Sequence, residues 1–185
     1  MHSVSPVRWT TADLEVFSGD RVNRYEIIDG ELFVTRAPHW EHQAICISIG
    51  AVLKAWSDES GLGKPAIAPG IVFSDSDNVI PDLVWVSNDR LERLLDEAGY
   101  LTAAPELVVE VLSPGEKNEK RDREVKLKLY SVQGVQEYWI VDGKQKVEVY
   151  RREKAVLKLT ATLFSQDELT SPMLPGFCCV VAKLF

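Results

Sequence analysis

The chain has 185 residues, of which 45% are hydrophobic and 26% are charged, and this composition is ordinary for a folded protein with one sizeable core. Its formal net charge of −7 argues against a protein that coats nucleic acid nonspecifically, because such binding depends on Lys and Arg neutralising phosphates. The charge does not exclude an enzyme that grips nucleic acid locally. We expect one domain over residues 1–185.

The N-terminal segment and the cysteines bear on the cellular compartment. Residues 1–6 contain no basic stretch followed by an apolar one, so we expect no secretory signal, and no apolar run is long enough to span a bilayer. Cys46, Cys178 and Cys179 are an odd number without regular spacing, which argues against a disulfide framework. We expect the adjacent pair to be buried thiols at the end of a strand. These features favour the cytoplasm.

The first part of the chain predicts a short helix, a hairpin and a longer helix. Thr10 followed by Asp13 is typical of a helix start. Residues 25–34 consist of two β-type runs around Asp29-Gly30, and this dipeptide is a strong hairpin signal. Residues 39–56 then carry apolar side chains at helical spacing on one face.

The middle of the chain predicts short elements separated by breaks. Glycines and prolines interrupt residues 61–70, after which residues 71–73 suit a short strand and residues 74–78 a solvated turn. Residues 80–86 are strand-like, with a proline at the entrance where a missing donor does least harm. Asn88 is placed to cap a short helix that contains three leucines.

The second half predicts a central strand, a charged helix and a meander. Residues 106–112 are almost continuously apolar, as in a strand covered on both faces. A charged amphipathic helix is predicted over residues 118–132 and ends at Gly134. Strands are then predicted at residues 137–141, 147–151 and 155–163, with a turn at Asp142-Gly143, and a last short strand at residues 177–181.

Two acidic residues lie where their neighbours are apolar. Glu110 must face a cleft or be compensated, because burying an unpaired charge costs several kcal/mol. Asp82 opens an apolar strand, although Asp is disfavoured in strands. Two acids at the ends of neighbouring strands can share a hard divalent cation, which takes oxygen ligands. The alternative is that Asp82 caps a turn and Glu110 pairs with a nearby Lys or Arg.

Four further residues are candidates for the same site. Lys126 and Tyr130 share a helix face. Lys126 could stabilise developing charge or orient an attacking water. The alternative is that Lys126 forms a surface salt bridge with Asp122 and that Tyr130 packs at the core edge. His42 could act as a base or ligand, or be a satisfied polar residue at the core margin. Glu26 could support a metal through water, or be solvated.

An ordered set of these segments resembles a known family, the Uma-two-type restriction-endonuclease-like proteins of the PD-(D/E)XK nuclease superfamily. The segments that carry the resemblance are residues 25–32, His42, residues 81–84, residues 108–114, Asp122, Lys126, Tyr130 and residues 134–139. The resemblance implies an α/β (α+β) fold with a restriction-endonuclease-like core. In that core a mixed central β-sheet is flanked by helices, with hairpin and meander strands towards both termini.

The resemblance also implies an activity, a cofactor and partners. It makes Asp82 and Glu110 ligands of Mg²⁺, with Mn²⁺ as a substitute, and it implies hydrolysis of DNA phosphodiester bonds by a metal-activated water. We therefore predict a metal-dependent endonuclease in which Lys126, Tyr130, His42 and Glu26 complete the site. Since nucleases of this fold often pair to cut two strands, a homodimer is also expected.

One position departs from the superfamily pattern, and two other functions are therefore considered. The pattern has lysine two residues after the glutamate, and here that residue is Leu112; Lys126 on the next helix resembles a migrated replacement. Leu112 and the acidic net charge favour an alternative, a non-catalytic module that retains the fold and binds nucleic acid or protein. A third hypothesis is a hydrolase for another class of phosphodiester.

Overall fold

The computed structural model describes residues 7–185, so the segment for which we expect no secretory signal lies outside the described residues. The strands are β1 Asn23–Ile28, β2 Glu31–Arg36, β3 Gly63–Ile67, β4 Ile71–Ser74, β5 Asp77–Val79, β6 Leu83–Ser87, β7 Leu107–Val111, β8 Glu137–Asp142, β9 Lys146–Glu153, β10 Val156–Phe164, β11 Glu168–Ser171 and β12 Leu174–Val180. The α-helices are α1 Trp40–Ser60, α2 Asn88–Leu94, α3 Glu116–Lys120 and α4 Leu127–Gln133. A π-helical segment, Arg121–Lys126, joins α3 to α4, and Thr11–Phe17 and Val181–Leu184 are 3₁₀ helices.

Six strands form the central sheet, in the order β10-β9-β8-β7-β6-β3. β7 and β8 are parallel, whereas the other neighbouring pairs are antiparallel. A parallel pair needs a crossover connection, and the helical segment from α3 to α4 supplies it. This mixed sheet with helices on both faces confirms the predicted fold class and places the apolar run around β7 inside the sheet.

Alternation along β7 decides which face of the sheet carries the site. Successive strand residues face opposite sides, so Val109 packs in the core that contains Ile49 of α1, whereas Val108 packs in the core that contains Leu129 of α4. Glu110 follows two residues after Val108 and shares its face. The carboxylate therefore lies on the side covered by the helical crossover.

A second sheet, in the order β2-β1-β5-β4, packs beside the first. The predicted hairpin is confirmed, because β1 and β2 pair through Asp29 and Gly30, whose φ angles of 50° and 71° are those of a type I′ turn. The turn predicted at residues 74–78 is shorter than expected. Asn78 pairs with Ile27 and belongs to β5.

The helices near the N-terminus agree with the sequence. The predicted short helix is the 3₁₀ helix, and Thr10 and Asp13 form a capping box at its start. The helix predicted over residues 39–56 is α1, which runs one turn further and ends before Gly61 in the left-handed conformation. Among residues 7–185, no helix combines the length and apolar character that crossing a membrane would require.

Two helical predictions need correction. Asn88 is the first residue of α2 and Ser87 is the N-cap, so the capping role predicted for Asn88 is wrong; its side chain donates instead to a carbonyl oxygen in the loop before β3. The helix predicted over residues 118–132 begins two residues earlier and contains the π-helical segment. It does end at Gly134, as predicted.

The sequence does not predict β3 or β11. β3 contains Gly63 and Pro65, which resemble chain breaks, but it is an edge strand, where a proline costs no ladder hydrogen bond on its free side. β11 is short and pairs with β12, which begins three residues before the final strand predicted at residues 177–181 and ends one residue before its predicted end, because Val181 starts the last 3₁₀ helix. Cys179 is buried as expected, but the same expectation is wrong for Cys178, which is exposed because neighbouring strand residues face opposite sides.

Gly63, in the edge strand β3, lies where there is no room for a larger side chain. A Cβ at this position would overlap the ring of Trp85 and the carbonyl oxygen of Val86. Gly63→Ala should therefore lower the free energy of unfolding by about 3 kcal/mol, as overpacking does in a close-packed core. Urea denaturation measures the effect, and Gly143→Ala is the matched control, because no atom of residues 7–185 lies within 4 Å of a Cβ there.

Candidate metal and active site

Asp82 lies immediately before β6 and is 6% exposed. Its Oδ2 accepts a hydrogen bond from the backbone N–H of Val111 at 2.9 Å and lies 3.1 Å from Nε2 of His42, and its Oδ1 lies 3.2 Å from a guanidinium nitrogen of Arg24. Burial alone would raise the pKa of Asp82, but the contacts with His42 and the charge of Lys126 outweigh it and lower the pKa. Asp82 is thus an ionised carboxylate held between α1, β6 and β7.

Glu110 lies in β7 and is 3% exposed. Its Oε1 accepts hydrogen bonds from Nζ of Lys126 and the hydroxyl of Tyr130, each at 2.8 Å. Within residues 7–185 both hydrogen bonds to this carboxylate end on Oε1, so Oε2 is left for another partner. Burial raises the pKa of Glu110 to about 8, although the charge of Lys126 opposes that rise.

Lys126, at the end of the π-helical segment, is 1% exposed and bridges two carboxylates. Its Nζ lies 2.8 Å from Oε1 of Glu110 and 2.9 Å from Oε1 of Glu26. Burial alone would lower the pKa of Lys126, but the charges of Glu110, Glu26 and Asp122 outweigh it and raise the pKa. The alternative of a surface salt bridge to Asp122 is therefore wrong. Lys126 is buried, and Asp122 pairs with Arg121 at 3.0 Å.

The π-helical segment explains why Asp122 and Lys126 do not form the salt bridge that regular helical spacing suggests, since both residues lie within it. A π-helix closes its hydrogen bonds over five residues rather than four, so the face on which later side chains lie is rotated. The backbone carbonyl oxygen of Asp122, inside the segment, accepts a hydrogen bond from the hydroxyl of Tyr138 at 3.0 Å. Such segments are rare and are frequent at functional sites. The segment supplies Lys126 to the cleft.

Glu26 and Tyr130 are both buried beside this lysine. Oε1 of Glu26 also accepts a hydrogen bond from the backbone N–H of Ile80 at 2.8 Å, so the alternative of a solvated Glu26 is wrong. The ring of Tyr130 packs edge-on against Tyr138, with ring centroids 5.1 Å apart. Burial raises the pKa of Tyr130 well above its ordinary value, so its hydroxyl remains a donor to Glu110.

His42, in the first turn of α1, contacts both Asp82 and a cysteine that the sequence analysis does not single out. Sγ of Cys46 lies 3.6 Å from Nδ1 of His42, and one ligand atom from each of His42, Cys46 and Asp82 lies within 4.8 Å of the other two. The available signal is the spacing of four residues between His42 and Cys46, which puts both on one helix face. Burial raises the pKa of Cys46 to about 12.

Most of these residues line one cleft of about 320 Å³, although Cys46 does not. Five of the six predicted site residues line it, and Tyr130 lies behind Glu110. The lining also contains basic residues that the sequence analysis does not select, namely Arg24, Arg36 and Arg121. Arg24 and Arg36 lie at the open end of the hairpin of β1 and β2, and Arg121 lies in the π-helical segment, so only the tertiary fold brings these two parts of the chain together.

The donor set fits a hard divalent cation. Asp82 and Glu110 line the same cleft, and Oε2 of Glu110 has no hydrogen-bond partner among the described residues. Oxygen ligands of this kind are those that Mg²⁺ prefers. Glu110 pairs with Lys126, as the ion-pair alternative predicts, whereas Asp82 contacts Arg24, His42 and the backbone N–H of Val111 rather than capping a turn. A buried carboxylate pair without its cation needs substitute positive charge, so both hypotheses predict these contacts for the ion-free protein.

Comparison with known proteins agrees with this fold. The family model Uma2, described as "Putative restriction endonuclease", matches residues 13–182. The crystal structure of a "putative nuclease belonging to DUF820" from Anabaena variabilis ATCC 29413 is similar with a TM-score of 0.73 at 19% sequence identity, covering 97% of this chain and 98% of that chain. No curated protein matches the sequence.

Proposed function

Since this chain belongs to the Uma2 family, whose description is that of a restriction endonuclease, we propose that it is a metal-dependent endonuclease that hydrolyses phosphodiester bonds of DNA. The observation that supports this proposal best is the position of Asp82 and Glu110 in one cleft, with Oε2 of Glu110 left for a ligand. The proposal treats residues 1–185 as one domain. Cytoplasmic location and a homodimer remain predictions.

Asp82 and Glu110 would hold the cation, with Mg²⁺ as the proposed ion and Mn²⁺ as a substitute. When bound there, a divalent cation would polarise the scissile phosphate and lower the pKa of a water molecule. His42 and the backbone N–H of Val111 keep the Asp82 carboxylate in place. Tyr130 does the same for Glu110, because its hydroxyl binds Oε1 and leaves Oε2 facing a ligand.

Lys126 has the role that the superfamily assigns to the lysine of its motif. Its ammonium group is already at the carboxylate of Glu110, so it is placed to stabilise negative charge that develops on a phosphate in the cleft. Glu26 fixes the lysine from the other side through a contact of 2.9 Å. Lysine thus reaches the site from a helix, which accounts for the presence of Leu112 at the usual position.

A nucleic-acid substrate is supported by the charge around the cleft. Arg24, Arg36 and Arg121 line it together with Lys126, although the whole chain has a net charge of −7. Arginine binds phosphate through two parallel hydrogen bonds, which orients a backbone without reading its sequence. These four cations outnumber the three acids in the lining, Glu26, Asp82 and Glu110, by one, so the cleft is less acidic than the whole chain and suits contact with a phosphate backbone over a short length.

Cleavage assays with three substrates test the proposal against its rivals. Supercoiled plasmid and labelled oligonucleotides should be cut in the presence of Mg²⁺ or Mn²⁺ and remain intact with EDTA. A hydrolase for other phosphodiesters would cleave a small nitrophenyl diester and leave DNA intact. A non-catalytic module would cleave neither and would bind no divalent cation through Asp82 and Glu110 in calorimetry.

The pKa of Glu110 predicts how metal binding depends on pH. The ion needs the ionised carboxylate, and below the raised pKa of about 8 a proton must be displaced first. The apparent affinity for Mn²⁺ should therefore rise about tenfold per pH unit from about pH 6 to pH 8 and level off above it. Titration calorimetry across this range measures the slope. A flat profile, or the same slope in Glu110→Gln, would contradict the role of Glu110.

A further inference from the structure

A second set of ligand atoms lies on the α1 side of the cleft. We propose that His42, Cys46 and Asp82 form a binding site for a thiophilic divalent cation such as Zn²⁺, and that this ion inhibits the enzyme by occupying Asp82. One ligand atom from each residue lies within 4.8 Å of the other two. The binding site stands independently of the proposed nuclease activity, whereas the inhibition rests on it.

The geometry of the three side chains is close to that of a metal site. Two of them come from successive turns of α1, with Sγ of Cys46 3.6 Å from Nδ1 of His42, and the third comes from the strand end, with Oδ2 of Asp82 3.1 Å from Nε2 of His42. These two contacts use different ring nitrogens, whereas one ion binds only one of them; counted with one ligand atom per residue, the three atoms lie within 4.8 Å of one another. Tetrahedral zinc with ligands at about 2.0 to 2.3 Å places neighbouring ligand atoms about 3 to 4 Å apart. A turn of the imidazole that faces one nitrogen towards both Sγ and Oδ2 would bring one nitrogen, one sulfur and one oxygen from within 4.8 Å of one another to those distances.

The chemistry of the donors distinguishes this site from the carboxylate pair. Thiolate and imidazole select Zn²⁺ and similar metals, whereas a site of carboxylates alone suits Mg²⁺. Coordination would release the thiol proton of Cys46 to solvent, because a thiol bound to such a metal is deprotonated. His42 and Asp82 line the cleft, so an ion can enter from it, and water can complete the coordination of a site with three protein ligands.

Asp82 belongs to both ligand sets, which gives the site a regulatory consequence. Nε2 of His42 lies 3.1 Å from Oδ2 of Asp82. An ion between His42, Cys46 and Asp82 would draw this carboxylate towards α1 and add positive charge next to the proposed magnesium site. Both effects weaken the binding of a second divalent cation at Asp82 and Glu110. A thiophilic ion should therefore compete with Mg²⁺.

Absorption spectroscopy with Co²⁺ tests the binding site without any activity. The wild-type protein should bind one Co²⁺ with a thiolate-to-metal band in the near ultraviolet, and Cys46→Ser should lose the band and bind Zn²⁺ at least about tenfold more weakly. The double variant Cys178→Ser/Cys179→Ser is the control and should keep the band, since those thiols lie on β12. Persistence of the band in Cys46→Ser, or its loss only in the double variant, would overturn the site.

Cleavage assays test the inhibition, with the melting temperatures of Cys46→Ser and Cys46→Ala measured first to establish that the variants fold. Relative to each protein's own zinc-free rate, half-inhibition of wild-type cleavage should need at least about tenfold less Zn²⁺ than that of either variant. Equal sensitivity of all three would overturn the inhibitory role. A band that depends on Cys46 in a protein without Mg²⁺-dependent cleavage would uphold the site and refute the proposed nuclease activity.

Discussion

Replacing Glu110 with glutamine is expected to reduce the rate of Mg²⁺-dependent DNA cleavage by about 10³-fold, equivalent to about 4 kcal/mol of transition-state stabilisation. Glutamine keeps an oxygen that can accept from Lys126 and Tyr130 but removes the charge that would bind the cation. Asp82→Asn should have a similar effect, because it removes the other half of the proposed ligand pair. Initial rates of plasmid nicking at saturating Mg²⁺ and Mn²⁺ measure both losses.

Glu106 provides a matched control for this experiment. It is also buried, lies directly before the same strand, and is held by Ser87 and Arg90 outside the cleft. Glu106→Gln should cleave DNA at a rate close to that of the wild type. Cleavage that survives undiminished in both Glu110→Gln and Asp82→Asn would refute the assignment of the metal ligands, whatever the result for Glu106.

Replacing Lys126 with methionine is expected to destabilise the ion-free protein by about 3 to 5 kcal/mol, in addition to abolishing cleavage. The substitution leaves Glu26 and Glu110 buried without their shared counter-charge, and a broken buried ion pair costs this much. The loss should grow with pH. Without the lysine the pKa of Glu110 lies still higher, and a raised carboxyl pKa makes stability fall as pH rises above the unfolded value.

Divalent cations should offset part of that loss. A cation bound by Glu110 would replace the missing positive charge, so Mn²⁺ should raise the melting temperature of Lys126→Met more than that of the wild type. Lys54→Met is the control, because Lys54 forms an exposed salt bridge with Asp58 on α1 and should contribute less than about 1 kcal/mol. If Lys126→Met is as stable as the wild type at high pH, the lysine does not compensate the buried acids.

Much of the fold follows from local sequence patterns. Asp29-Gly30 identifies its hairpin because two successive left-handed residues are nearly a unique signature, and the apolar run around Val109 identifies a central strand because both its faces are covered. β3 is not predicted from the sequence because it is defined by its pairing with β6. Gly63 and Pro65 are acceptable in an edge strand, but local propensity does not show that this segment lies at an edge. Tertiary pairing outweighs propensity there.

Some residues of the candidate site can likewise be predicted from the sequence, and others cannot. Asp82 and Glu110 are conspicuous in sequence because a charge among apolar residues requires an explanation, and the structure brings both to one cleft. Their assignment as metal ligands stays a prediction. Arg24 and Cys46 are not selected, since their significance comes only from contact with Asp82 and His42 across the fold. No sequence pattern within Arg121–Lys126 predicts that this segment is π-helical.

Anomalous diffraction from crystals soaked in Mn²⁺ near neutral to alkaline pH would locate the ion that Asp82 and Glu110 are proposed to bind. One ion is expected within about 2.0 to 2.4 Å of a carboxylate oxygen of Asp82 and of Oε2 of Glu110. Saturating Mn²⁺ that leaves this position empty, with Lys126 and Arg24 still holding the two acids, would contradict the proposed metal site.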